Sequence, residues 1–150
     1  MVVPENLKIN AHVFCYSPDL FAASEKLAGY LDCKISKVYV GEPYDPQSKT
    51  ANIAWLVGHG SKTDSKVGNS DGSFGYTIGS ICGWLKNYPY TNLIDTCCDP
   101  NKRKRYQTFG DNYYCTNDNQ CVEVITSYLS FDSWWDVSNM HQNIHQLQEK

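Results

Sequence analysis

The chain has 150 residues, of which 41% are hydrophobic and 19% charged, and its formal net charge is -3 at pH 7. This composition suits one globular domain spanning 1–150, long enough to bury a single sizeable core, and excludes a disordered chain. The acidic balance argues against a nucleic-acid partner, and no apolar run reaches the length of about 18 residues that a membrane helix needs.

The opening stretch "MVVPENLKINAHVFCYSPDL" lacks a basic start followed by an apolar block, so no secretory signal is read there. The expected compartment is cytoplasmic, with export by a signal-independent route left open. Seven cysteines stand at 15, 33, 82, 97, 98, 115 and 121. Without a secretory signal, a disulfide framework is not the default reading. Cys15 in "HVFCYS" and Cys82 in "IGSICGWL" read as small buried hydrophobes.

In chain order, "HVFCYS" (12–17) reads as a strand. "SPDLFAASEKLAGYLD" reads as a helix, with Ser17 as N-cap and Pro18 in the first turn. Leu20, Phe21, Ser24, Leu27, Ala28 and Leu31 share one helical face. "CKISKVYVG" (33–41) alternates like a strand, and "EPYDPQSKT" (42–50) is a turn-rich connector. "NIAWLVG" (52–58) is continuously apolar, the pattern of a central strand covered on both faces.

"HGSKTDSKVGNSDGSFGYT" follows as a long Gly/Ser/Asp-rich loop. Then come a short helix (78–87), an apolar strand "NLI" (92–94) and a polar, irregular stretch over 99–120. "CVEVITSYLSF" (121–131) reads as a strand and "SWWDVSNMHQNIHQLQEK" (133–150) as a terminal helix. Alternating strands and helices predict an α/β layered domain with a mostly parallel central sheet flanked by helices. In such sheets, functional groups gather beyond the carboxyl ends of the strands.

Two strand ends carry chemistry. His59-Gly60 follows "IAWLVG", and Asp95-Thr96-Cys97-Cys98 follows "NLI". A thiol at neutral pH is mostly protonated, and an imidazole beside it raises the reactive fraction and later protonates a leaving amine. A glycine next to the histidine lets the backbone approach a substrate closely. A base, a nucleophile and an open backbone are the parts that acyl transfer requires.

"LVGHGS" and "LIDTCC" resemble the histidine and cysteine blocks of the caspase-like cysteine peptidases, closest to the Asp-x-Cys form of metacaspases and clostripain. The resemblance covers residues 50–98 and is topological elsewhere. It implies a caspase-like layered domain and a cysteine endopeptidase working through a thioester, with no cofactor and a protein or peptide substrate. Carried over by position, His59 is the general base and acid, and Cys97 is the nucleophile. The N–H groups of Gly60 and Cys97 form the oxyanion hole. Asp95, two positions before the nucleophile, lines the pocket for the residue preceding the cut and implies a preference for Arg or Lys there. Cys98 is the second choice of nucleophile, one residue out of the motif's register. Asp99-Pro100 stands where the family usually has a glycine.

"NKRKRYQ" (101–107) reads as a solvated charge run. In caspase-like enzymes, however, the segment after the catalytic cysteine is often an activation linker. If Asp95 selects cations, self-cleavage after Lys102, Arg103, Lys104 or Arg105 follows.

Cys115 and Cys121 with His141 and His145 fall outside the usual zinc-finger spacings, and "NSDG" (69–72) lacks the rest of a calcium loop, so no metal is assigned. Trp134 and Trp135 read as packing of the terminal helix. Two other functions fit the same sequence: a non-catalytic α/β protein-binding module, and a small cysteine hydrolase or acyltransferase acting on non-peptide substrates.

Overall fold

The structure, a computed structural model, describes residues 11–41, 51–88 and 90–115. Five parallel strands form its centre: β1 (Ala11–Cys15), β2 (Lys34–Lys37), β3 (Ile53–Val57), β7 (Asn92–Asp95) and β8 (Tyr113–Cys115). Their spatial order is β2-β1-β3-β7-β8, all in the same direction. The α/β layering and the parallel sheet are thus as the sequence pattern indicates.

Side-chain alternation divides the core into two layers. Val13, Cys15, Ile53, Trp55, Val57 and Ile94 face one side, where α1 (Phe21–Leu31) adds Leu27 and Ala28. Phe14, Ala54, Leu56 and Leu93 face the other, where α2 (Ile78–Leu85) adds Ile78, Ile81, Cys82 and Leu85. Every residue of β1 and β3 is buried, which explains the continuous apolar run of the third strand. Burial of each large aliphatic side chain here contributes about 1.5–3 kcal/mol.

Helix starts follow local chemistry. Thr77 caps α2 by accepting a hydrogen bond from the Ser80 amide at 3.3 Å. At the first helix the expected cap is absent. Pro18–Leu20 form a 3-10 turn before α1, and the Ser17 hydroxyl donates to the Asp19 carboxylate rather than capping the helix. That turn carries Asp19 past the end of β1.

The long Gly/Ser/Asp stretch is more ordered than a loop reading allows. It forms a three-stranded antiparallel sheet of β4 (His59–Gly60), β5 (Lys66–Gly68) and β6 (Gly75–Thr77). Turn side chains fix it: the Lys66 amide donates to Asp64 at 2.9 Å, the Ser73 amide to Asp71 at 2.9 Å, and the Phe74 amide to Asn69 at 3.1 Å. The stretch after the cysteines is also ordered in part. It forms α3 (Asn101–Tyr106), which lies against α2, and then β8. The connector 42–50, the expected strand 121–131 and the terminal helix 133–150 lie outside the described residues.

No described helix is long and apolar enough to cross a membrane.

Candidate active site

In the order β2-β1-β3-β7-β8 the chain runs from β1 one way to β2 and resumes on β1's other side at β3, so a crevice opens between the carboxyl ends of β1 and β3. Asp19 stands beyond β1, and His59 stands beyond β3. They meet across the crevice: His59 Nε2 lies 2.8 Å from Asp19 Oδ2, and the two side chains are 35% and 51% exposed. Burial, the largest single influence, pushes the Asp19 carboxyl up. The Ser17 hydroxyl and the His59 imidazole outweigh it and hold Asp19 below the usual carboxylate range. An ionised carboxylate only accepts, so Nε2 carries the proton and donates. In the neutral ring Nδ1 then keeps its lone pair, the tautomer a general base needs.

The two strand-end motifs touch through Gly60. A Cβ at this position would overlap the Cys98 carbonyl oxygen and the Arg103 guanidinium, so only glycine permits the approach. The Ser61 amide donates to Lys66 O at 3.3 Å, and the alternation of an antiparallel ladder then leaves the Gly60 N–H turned away from β5.

The paired thiols point to opposite layers. Cys97 is fully buried with Leu56, Leu93 and α2, and its Sγ lies 3.8 Å from Leu56 O. Cys98 is partly exposed and packs on the other cluster, with Val57, Trp55 and Ile94. That is the layer of α1, whose leading turn supplies Asp19 to His59. The sequence expectation that Cys97 faces His59 is corrected here: strand alternation carries Cys97 into the α2-side core and leaves Cys98 in the α1-side layer, the layer of the turn that brings Asp19 to His59. The Cys97 N–H is committed as well, donating to Asp95 Oδ1 at 3.0 Å, which removes it from an oxyanion hole.

Asp95 is not an open specificity pocket. It is fully buried, and Arg103 donates to it through Nε at 2.7 Å and Nη2 at 3.3 Å. The Tyr113 hydroxyl donates to the same carboxylate, and burial pushes that phenol well above its ordinary range. The cation expected from a substrate is supplied by the chain itself.

Arg103 is fully buried on α3, and its Nη2 also donates to Cys97 O at 2.9 Å and Cys98 O at 3.0 Å. Desolvation works against its charge, but Asp95 outweighs it and keeps the guanidinium firmly protonated. Lys102 and Lys104 are half-buried and Arg105 is exposed, all within the same helix. Self-cleavage after any of the four would first have to unwind α3.

Asp99 takes φ +52, the left-handed conformation that favours glycine. It stands where the family pattern usually has one, and Asp is among the few side chains that tolerate the position.

A cleft of about 400 Å³ opens at His59 and Gly60 and runs along the small sheet past Asp64, Lys66, Asn69 and Phe74. Apart from Phe74 its named walls are polar or backbone, which suits a ligand rich in amides or hydroxyls. Among the described residues no group of three or more His, Cys, Asp or Glu could hold a metal ion. Cys121, His141 and His145 lie outside the described residues.

Sequence reasoning missed Asp19 and Tyr113, and read Arg103 as a self-cleavage site rather than as the buried partner of Asp95. The signal available for Asp19 was its place just after a strand, opposite the histidine across a parallel sheet. For Arg103 it was an acid, Asp95, predicted at the end of an apolar strand and in want of a cation.

Comparison with family models, with curated proteins and with solved structures finds no match to this chain.

Proposed function

We propose that this protein is a cysteine peptidase of caspase-like type, in which His59, oriented by Asp19, activates the thiol of Cys98. The observation that carries the reading is the Asp19–His59 pair at the β1/β3 crevice, with Gly60 holding the Cys98 segment against it. The two motifs follow β3 and β7, adjacent parallel strands of the sheet, which supports the reading.

The chemistry needs no group beyond these residues. His59 Nδ1 takes the Cys98 proton, and the thiolate attacks the scissile carbonyl carbon. Gly60 N–H is the candidate donor to the oxyanion. The C–N bond breaks as the imidazolium returns its proton to the leaving amine. Water, deprotonated by His59, then hydrolyses the thioester and regenerates the thiol. Asp19 keeps the ring in the base-competent tautomer and stabilises the imidazolium, acting through His59.

A second reading, hydrolysis of a small non-peptide acyl group, is favoured by the cleft that His59 and Gly60 line, whose volume of about 400 Å³ suits a small ligand. Turnover of a fluorogenic peptide library and a panel of small thioesters by the wild type, His59→Ala and Cys98→Ala tests both. Peptide cleavage lost in both variants supports the first reading, and thioester turnover alone supports the second. Turnover of neither class contradicts both.

A further inference from the structure

A buried arginine inside a charge run invites an explanation beyond neutralising one acid. Arg103 makes two hydrogen bonds to Asp95, and three carbonyls complete its fork: Cys97 O at 2.9 Å, Cys98 O at 3.0 Å and Asp99 O at 3.4 Å from Nη1. Those three residues are the turn that leaves β7. Three consecutive carbonyls aimed at one guanidinium leave the turn little freedom to rotate its peptide planes. The same guanidinium lies where a Cβ on Gly60 would be, so it also backs the contact between the Cys98 carbonyl and the backbone beside His59.

We infer that Arg103 is a positioning residue: it fixes the turn 97–99 so that the Cys98 thiol is held on the side of His59. The inference rests on the dyad proposed above. Arg103 touches no reacting atom in this scheme and acts through the carbonyls it gathers. A planar fork of five donors can serve a carboxylate and several carbonyls at once, and a lysine cannot. Asp95 supplies the charge that makes burying the fork tolerable, so the acid expected to select substrates serves the nucleophile's turn instead.

The experiment is the pH profile of Cys98 alkylation by iodoacetamide, followed by peptide mapping, in the wild type, His59→Ala, Arg103→Lys and Asp95→Asn/Arg103→Met. The double variant keeps an acceptor for the Cys97 N–H and leaves no buried charge unpaired, so it reports even if Arg103→Lys does not fold. Cooperative thermal unfolding is the check on each protein.

His59→Ala should move the inflection upward from its wild-type position. Arg103→Lys and the double variant should raise it likewise and slow alkylation about tenfold at neutral pH while still unfolding cooperatively. A role in stability alone would lower the melting temperature without moving the inflection. If His59→Ala shifts the profile and both Arg103 variants leave it at the wild-type position, the positioning role is wrong and the dyad stands. If His59→Ala leaves the profile unchanged, the dyad itself is wrong, and the positioning role falls with it.

Discussion

Cys97 and Cys98 are neighbours in the chain, yet they belong to opposite layers of the protein, one sealed against α2 and the other beside the segment that carries His59. Replacing Cys97 with Ala should therefore leave most of the activity, at a stability cost of about 1 kcal/mol for the small cavity. Replacing Cys98 with Ala should abolish turnover and leave the melting temperature nearly unchanged. Steady-state kinetics with thermal melts of both variants check this.

Asp19→Asn should lower kcat by about tenfold or more, equivalent to roughly 1.4 kcal/mol of barrier, with KM little changed. The carboxamide can turn its NH2 toward Nε2, and the wrong ring nitrogen then carries the proton. A fall in KM-dependent binding with kcat intact would assign Asp19 to the substrate rather than to the histidine. Since Asp19 is held below its ordinary value of 3.8, the carboxylate and its contribution are complete above that pH and are lost only as pH falls further, so no activity step near neutrality should trace to it.

Arg103→Ala strands the fully buried Asp95 and should destabilise the protein by about 3–5 kcal/mol in urea unfolding. Arg105→Ala, exposed on the same helix, should change stability by less than about 0.5 kcal/mol. Equal effects would mean that the ion pair is not the feature that matters in α3.

Gly60→Ala places a methyl group into the Cys98 carbonyl and the Arg103 guanidinium. A loss of about 1–3 kcal/mol together with loss of activity is expected, because backbone on one side and a buried fork on the other cannot both yield. The same substitution at Gly79, which meets nothing within 4 Å, serves as the control in the same unfolding assay.

Two thiols shielded from water, Cys115 buried and Cys33 half-buried, should set the alkaline limit. Burial pushes Cys33 up to about 12 and Cys115 up to about 11, from an ordinary 9.0. The unfolded chain gives up these protons first, so the stabilisation is complete well below pH 9.0 and fades as pH rises through that value toward the folded values. The slope is up to ~1.4 kcal/mol per pH unit for each thiol. Urea midpoints should fall between about pH 8 and about pH 10.5, and less steeply in Cys33→Ala.

The central fold was legible because β1, β3, β7, α1 and α2 announce themselves by apolar periodicity. His59 and the cysteine pair were legible as strand-end residues. The choice between the thiols was not: it depends on strand parity, which puts Leu93, Asp95 and Cys97 on one face and Ile94, Thr96 and Cys98 on the other, and on which face His59 shares. Nothing in "KRKR" marks one of four cations as buried, since the helix is short and its inward position carries a charge. The small sheet of β4, β5 and β6 was hidden because its strands are two or three residues long and rich in glycine.

The central question is which thiol works with His59. A peptidyl chloromethylketone should be incubated with native protein at neutral pH and the labelled cysteine identified by peptide mapping, in the wild type and in His59→Ala. Modification of Cys98, lost when His59 is replaced, is the expected result. Modification of Cys97, or labelling of Cys98 at the same rate without His59, would contradict the account.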